Sequence, residues 1–433
     1  MNQQNQNLPP GWVWVKLGEC YSSISLNGLK IKQKDYLPFG KYPVIDQGKE
    51  LIGGYYDDET LLVPGEPPFI VFGDHTKVKK FVSFKFIAGG DGVKVLKPHI
   101  FFNPKLFFYF LHCLKLPDKG YARHFQFLKK TQIPLPPLAE QHRIVAKIEE
   151  LLSSLDKATE RLQTAQEQLK RYRQAVLKWA FEGRFTHKNL KAGELPQGWV
   201  WKKLGEVALI NPRLPFENIS DDLEVSFIPM KYVEELVNKV NLIEIKKYGE
   251  VKKGYTPITD GDVIFAKITP CMENGKIAVV HSLRNKIGFG STEFHVLRCS
   301  INLLNKFLFY LLIQEKVRQQ AAQSMTGAVG QRRVPKQFLE TLEIPLPPLA
   351  EQEQIVSEIE KRLSVAEKVE ESIRIALEKA ERLRQSILKK AFEGKLVPQD
   401  PNDEPASILL ERIKAEQQKI TKSSYKSNKS VRQ

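Results

Sequence analysis

The sequence has 433 residues, 42% hydrophobic and 10% aromatic, which excludes a wholly disordered polymer and suits two or three domains. Sixty-six Lys and Arg against 50 Asp and Glu leave a net charge of +16. That balance points to a polyanionic partner, nucleic acid before a membrane surface, since no run approaches the roughly 20 apolar residues of a spanning helix.

Met1–Pro10 is rich in Asn and Gln and has no apolar signal stretch, so the chain reads as cytoplasmic. Then "GWVWVKLGE" begins at Gly11 and returns as "GWVWKKLGE" at Gly198. "IPLPPLAEQHRIVAKIE" from Ile133 returns as "IPLPPLAEQEQIVSEIE" from Ile344. Both ends of a module are spelled twice, so the chain divides into an alternation of mixed piece, helix, mixed piece, helix and tail. The interiors of the two mixed pieces share little sequence. In the first, "KYPVIDQG", "FIVFGD", "KKFVSFKF" and "DGVKVL" are short β-rich runs broken by Gly and Pro, followed by helical "NPKLFFYFLHCL". In the second, "GDVIFAKI", "GKIAVV" and "EFHVL" supply strands before helical "LLNKFLFYLLIQEKVRQQ". The four cysteines, Cys20, Cys113, Cys271 and Cys299, lie far apart with no His at ligand spacing, and read as reduced, buried thiols.

After each "PLPPL" a long helix is predicted. From Ile144 apolar or small residues fall at Ile148, Leu151, Leu155, Ala158, Leu162, Ala165, Leu169, Tyr172, Val176 and Trp179, the four-three alternation of a coiled-coil seam. Gly183 is a fitting stop, and the rod is roughly 65 Å long at 1.5 Å per residue. The second rod repeats the register 211 residues later, with Ile355, Ile359, Ala366, Val369, Ile373, Ala376, Leu383 and Ile387 before Gly394. Stripes this long must be covered, and the economical solution packs the rods on each other, antiparallel. The fold class is therefore α+β: two mixed α/β domains separated by two long helices in an antiparallel coiled coil, a pseudo-twofold internal repeat. The domains are placed at 8–138 and 195–349, the spacer helices at 139–184 and 350–396. Residues 397–433, ending in a basic Ser- and Lys-rich run, are expected to be mostly disordered.

A pseudo-twofold, positively charged protein mirrors duplex DNA, and unlike mixed domains would read unlike half-sites across a gap set by the rods. On the repeated "GWVW", the two "IPLPPLAEQ" stretches, "RQAVLKWAFEG" from Arg173, "RQSILKKAFEG" from Arg384, "GDVIFAKITPCMENGKIAVV" and "GFGSTEFHVLR", the chain resembles the specificity (S) subunits of type I restriction-modification systems. The resemblance covers most of residues 8–396. It implies that the mixed domains are target-recognition domains reading an asymmetric bipartite site. It further implies double-stranded DNA, two methyltransferase (M) subunits and two restriction (R) motor-nuclease subunits as partners.

No catalytic constellation is found. "NPKLF" and "NPRLP" do not fit the N/D-P-P-Y/F signature of an adenine methyltransferase, and no phosphate-binding G-x-x-x-x-G-K-S/T is present. "GFGSTE" lacks the third Gly of a dinucleotide loop. No cofactor and no metal are expected, and the chain is read as no enzyme. Groups suited to bases and phosphates cluster elsewhere. "FGDHTKVKKF" offers His75, Thr76, Lys77 and Lys79, and "YARHFQFLKK" offers Arg123, His124, Gln126 and Lys129. In the second domain "AKITPCMENGKIA" offers Lys267, Thr269, Asn274 and Lys276, while "MTGAVGQRRVPKQF" offers Gln331, Arg332 and Arg333. Asn274-Gly275 is also a plain turn signal, and Asp74-His75 lacks the nucleophile of a catalytic pair. Trp12, Trp14, Trp199 and Trp201 read as packing residues rather than base-stacking platforms. The rival reading is a coiled-coil adaptor that binds nucleic acid without sequence preference. Removing matched heptads from both rods should shift the preferred gap between half-sites, read by mapping methylated adenines; an unchanged gap would show that the rods do not set it.

Overall fold

The computed structural model describes residues 8–114, 124–187, 190–191, 193–328 and 330–415. They fall into two compact units, one of residues 1–162 with 375–433 and the other of residues 163–374. Each unit holds one mixed domain and parts of two long helices, Leu138–Phe181 and Leu349–Phe392, each of 44 residues.

In the first unit the described strands are β1 (Val13–Lys16), β2 (Tyr21–Ile24), β3 (Lys30–Ile31), β4 (Tyr42–Ile45), β5 (Gly54–Tyr56), β6 (Phe69–Gly73), β7 (Lys79–Val82), β8 (Ile87–Gly89), β9 (Val93–Pro98) and β10 (Gln132–Leu135). One antiparallel sheet has the order β2-β9-β6-β7, and a mixed sheet has the order β3-β8-β4-β5. β6, "FIVFG", is buried along its length, as an internal strand demands, whereas β9 turns Lys94 and Lys97 toward the surface. Helix Pro104–Cys113 starts on Asn103, whose side chain accepts from Lys105 N at 3.0 Å and Leu106 N at 3.3 Å, with Pro104 pre-set for the first turn.

The second unit contains β11 (Val200–Lys203), β12 (Ala208–Ile210), β13 (Glu224–Ile228), β14 (Glu244–Lys247), β15 (Thr256–Thr259), β16 (Val263–Ala266), β17 (Ile277–Val279), β18 (Ile287–Gly290), β19 (Phe294–Cys299) and β20 (Glu343–Leu346). Its antiparallel sheet, β12-β19-β16-β17, has the plan of the first unit's β2-β9-β6-β7. Its mixed sheet, β14-β13-β18-β15, also keeps a parallel central pair, β13 with β18, matching β4 with β8. The outer strand differs: β3 precedes the other strands of its sheet and runs parallel to β8, whereas β15 falls between β14 and β18 in the chain and runs antiparallel to β18. Interiors with little common sequence therefore share most of one plan.

The repeated edges find each other. β1 pairs antiparallel with β10, Trp14 opposite Pro134, and β11 pairs with β20, Trp201 opposite Pro345. The long helix then leaves from this ribbon, and the Glu-Gln of each "PLAEQ" locks it. The Trp12 indole donates to Glu140 Oε2 at 2.8 Å, and Gln399 Nε2 donates to Glu140 Oε1 at 2.8 Å. Gln141 accepts from Asn103 N at 2.7 Å and donates to the carbonyls of Phe101 and Pro136 at 2.9 and 3.0 Å. In the second unit Glu351 Oε1 accepts from the Trp199 indole at 2.9 Å and meets the Thr186 hydroxyl and His187 Nε2. Gln352 accepts from Leu304 N at 2.8 Å and donates to Asn302 and Pro347. Burial pushes the Glu140 carboxyl above the usual range, opposed by the Trp12 bond and by Arg143 and Gln399.

Within each unit the long helices run antiparallel. In the first, Ile144, Ile148 and Leu152 share a core with Ile387 and Ala391, and Asp156 pairs with Arg384. In the second, Leu177 and Ala180 share a core with Ile355, Val356 and Ile359, and Arg173 Nη2 lies 2.7 Å from Glu370. Of the predicted seam, Ile144, Ile148, Val176, Ile355, Ile359, Ala366, Ile373 and Ile387 are buried, at both ends of the helices, while other positions leave it. Tyr172 and Trp179 are exposed, and Leu177 and Ala180 are buried in their stead; Val369 and Leu383 are exposed while Ala391 is buried.

Residues 397–415 correct the expectation of a mostly disordered tail, while 416–433 lie outside the described residues. Leu396, Val397, Leu409, Leu410 and Ile413 pack on the first unit's core, and residues 406–415 are helical. Arg143 grips Asp403 through two hydrogen bonds, at 3.0 and 2.5 Å, and Ala406 N donates to Gly11 O at 2.9 Å. Of the four cysteines only Cys20 is buried outright; Cys113, Cys271 and Cys299 are half-buried, and all are free.

Replacing Glu140 or Glu351 with Ala should cost about 1–3 kcal/mol for each buried donor left without an acceptor, measured by urea unfolding. Unchanged midpoints would remove the clasp from the account.

Candidate nucleic-acid interface

In the second domain, tertiary pairing brings together two predicted segments that lie far apart in sequence. Past the end of β16, Lys267 N donates to Glu293 O at 2.9 Å and Val334 N to Lys267 O at 2.8 Å. Thr269 N donates to Arg332 O at 3.0 Å, and Arg333 exchanges backbone bonds with Thr326 at 2.8 and 3.0 Å. Gly327 and Gly330 carry left-handed φ of 119° and 81°. A Cβ on Gly327 would stand 3.0 Å from Gln331 O, so this turn is close as well as left-handed.

The side chains then divide by role. Gln331 and Arg332 are exposed, Arg332 Nη2 donating to Ala322 O at 2.9 Å. Arg333 instead clamps Glu293, Nη2 to Oε1 at 2.8 Å and Nε to Oε2 at 3.0 Å. The Arg333 bonds, more than its charge and that of Lys267, hold the Glu293 carboxyl below the usual range despite burial. Thr269 donates to Glu273 at 2.9 Å. Asn274 and Lys276 face elsewhere: Asn274 donates to Glu235 at 2.9 Å and Lys276 Nζ lies 3.5 Å from Met230 O. Beneath the cluster, burial pushes the His295 pKa down; its Nε2 lies 2.9 Å from Val334 O and its Nδ1 3.1 Å from the Asn211 amide nitrogen. Asn211, within the "NPRLP" that resembled no methyltransferase signature, is thus a lock beneath this loop, at a left-handed φ of 54°.

In the first domain the turn after β6 is tied on three sides. Asp74 N donates to Gly92 O at 2.7 Å, while the Asp74 carboxylate accepts from Phe125 N at 2.8 Å. Thr76 donates to Gln47 O at 2.8 Å, and His75 N to Gln47 Oε1 at 3.4 Å. Gly92 has φ +80°, and a Cβ there would stand 2.8 Å from both Gln47 Oε1 and the His75 ring. Thus His75, Thr76 and the start of helix Phe125–Lys130 converge, and Lys77 joins them at a left-handed φ of 60°. Gln126 and Lys129 are exposed on that helix, and the Lys94 and Lys129 ammonium groups lie 5.8 and 5.6 Å from the Phe125 ring centre.

Two candidates are drawn inward, one completely and one in part. His124 is fully buried, its Nδ1 3.0 Å from Asp74 O, so it fastens the turn. Lys79 is half-buried beside Cys113, and burial pushes its pKa down. Arg123 lies outside the described residues. Gln47 and Glu293 were missed. The Asp-Gln-Gly after β4 was a signal for the first; Glu293 carried none, because its role depends on an arginine forty residues away. Asp74 caps a helix, so it does not orient His75 for catalysis. Among the described residues no His, Cys, Asp and Glu cluster could hold a metal ion, and no helix is long and apolar enough to cross a membrane.

Two mixed domains of one plan, each with a basic loop cluster at the end of its antiparallel sheet and joined through paired helices, define a class of protein. Residues 9–171 and 196–379 each match the type I restriction modification DNA specificity domain, and the chain belongs to that family. It is 38% identical over 275 residues to the EcoAI specificity subunit of Escherichia coli, covering 54% of this chain and 46% of that one. The match to the EcoEI subunit of the same species is 37% over 276 residues, so the chain spans about half the length of these two relatives. The EcoDI subunit is 25% identical but matches over 94% of this chain and 96% of its own. Among solved structures, a chain from a study of type I R-M assembly and conformational transition aligns at TM-score 0.66 and 22% identity, covering 90% of this chain and all of that one. The HsdS subunit of Thermoanaerobacter tengcongensis aligns at TM-score 0.52 and 23% identity, over 91% of this chain and all of its own. These two likenesses show the fold.

Because the folded Glu293 pKa is lowered, its ion pair stabilises above the ordinary glutamate value and is lost as pH falls through the folded value. Glu293→Gln should therefore flatten the acid limb of the second unit's stability, measured by urea melts at a series of pH values; superimposed curves would show that the pair contributes nothing.

Proposed function

We propose that this chain is the non-catalytic sequence-recognition subunit of a type I restriction-modification complex in the cytoplasm. It reads an asymmetric, bipartite DNA site through domains at 8–138 and 195–349, and it positions two methyltransferase and two motor-nuclease subunits. The spacer helices are assigned to 139–184 and 350–396. What carries the reading is one sheet plan presented twice with different loop chemistry: Gln331 and Arg332 over an Arg333–Glu293 clamp in one domain, Gln47, His75 and Gln126 in the other. Gln suits adenine and Arg suits guanine in the major groove, so the two clusters are chemically fitted to unlike half-sites. The net charge of +16 supplies phosphate attraction that carries no sequence information.

Co-expression with the neighbouring methyltransferase, followed by genome-wide mapping of methylated adenines, should return a two-part motif. Scattered methylation with no motif would favour a nonspecific adaptor. Arg332→Ala should weaken the second half-site alone by about 1–3 kcal/mol, read as binding to duplexes altered in one half at a time. Equal losses at both halves would contradict modular reading. Binding should also fall steeply with salt as counterions are released, and a flat response would contradict phosphate contact.

A further inference from the structure

The two ribbons that launch the long helices are equivalent in sequence and register, yet among the described residues a helix lies over only one of them. In the first unit the C-terminal segment lies over it. Pro405 approaches Gly11, Ala406 N bonds to Gly11 O at 2.9 Å, and Leu410 and Ile413 of helix 406–415 border the same recess as Val13, Trp14 and Val15. Trp14 is half-buried there, and Pro134 and Pro137 are buried.

In the second unit the corresponding surface is open. Trp201 is 58% exposed, Val200 49% and Leu349 42%. Pro348, the counterpart of Pro137, is exposed, and the only atom within 4 Å of a Cβ built on Gly198 is Pro348 Cγ at 3.9 Å. Beside Trp201 a recess is walled by Leu311, Val317, Leu342 and Pro345 and, from the link that follows Gly183, by Leu190 and Leu195. Connectivity explains the difference. The chain leaving Gly183 runs directly into Gly198, whereas the chain leaving Gly394 continues past the ribbon and folds back as 406–415. The repeat thus supplies one covering helix for two ribbons.

We propose that the Gly198–Trp201 stretch of the second unit's ribbon, beside Pro348, is a docking site for an amphipathic helix of a partner polypeptide, with small or apolar residues at the i, i+3, i+4, i+7 spacing of Ala406, Leu409, Leu410 and Ile413. The occupant is identified by the first unit, where that chemistry sits on the same ribbon. An exposed apolar surface at a ribbon whose counterpart is covered marks an interaction surface, and helix-in-groove docking uses anchors at this spacing. The proposal rests on the proposed function only for the choice of co-expressed partner.

The test has two parts, neither of which reads DNA, so its failure is distinct from the absence of a methylation motif. A fluorescent peptide of residues 404–415, titrated into the full-length protein, should bind saturably and lose at least tenfold in affinity with Trp201→Glu, an exposed site whose folding is checked by circular dichroism. A peptide with Leu410→Asp and Ile413→Asp should not bind. In the co-expressed complex with the methyltransferase, a photo-crosslinker at position 201 should reach one helical segment of the partner. Absence of binding, or binding indifferent to Trp201→Glu because the peptide exchanges with the chain's own helix, overturns the proposal. So do cross-links confined to this chain or to a second, isotope-labelled copy of it.

Discussion

A helix of 44 residues with an apolar stripe along one side has no stable solitary state in water, and the remaining structure answers the need to cover that stripe. Each long helix covers the other, and at each helix start a ribbon and its domain finish the task. Coupling a helix to a domain requires fixed chemistry at the junction: an indole donor, a buried carboxylate, an amide that satisfies three backbone groups, and a glycine stop. Gly183 and Gly394 show how tight the junction is, since a Cβ would stand 2.2 Å from Pro196 in one and 2.3 Å from Pro9 in the other. The interior of a mixed domain carries no such obligation. A strand core needs apolar residues in register, and many sequences supply them.

This division explains what the sequence disclosed. Periodicity over many turns and a register repeated after 211 residues made the rods, their stops and the doubled module readable. The pairing of β1 with β10 was not readable, because strand partners more than a hundred residues apart leave no local trace, and "IPLPP" carries prolines that suggest a linker. Which seam positions stay covered was not readable either: Tyr172 and Trp179 are exposed while Val176 between them is buried. Helix 406–415 is too short to announce itself, and its apolar edge acquires meaning only against the ribbon it covers.

The candidate interface was legible as residue types and opaque as geometry. "AKITP" and "GQRRVPKQF" each looked suited to nucleic acid, and their backbone pairing makes them one surface. Residue type alone could not separate Arg332, which is exposed, from Arg333, which spends its guanidinium on Glu293. The same holds for His75, beside Gln47 at the turn, and His124, buried beneath it. Burial is a tertiary property, and a histidine or lysine carries the same letter on either side of it.

The C-terminal segment can be understood through connectivity. In the second unit the end of a long helix, Gly183, is joined to its ribbon by the short stretch 184–197, so the chain itself keeps Pro196 and Trp199 beside it. In the first unit the matching helix end, Gly394, meets Pro9 and Trp12 from the far end of the sequence, and only noncovalent contact holds them. Closing that contact without a tether forfeits the entropic advantage of a short loop. The Arg143–Asp403 fork and the apolar edge of 406–415 stand where the second unit has a peptide link, whereas the Gln399 bond to Glu140 is matched there by Thr186 and His187 on Glu351. The fork and the 406–415 edge belong to the junction that no short loop closes, and the ribbon of the other junction is the one whose Trp201 is 58% exposed.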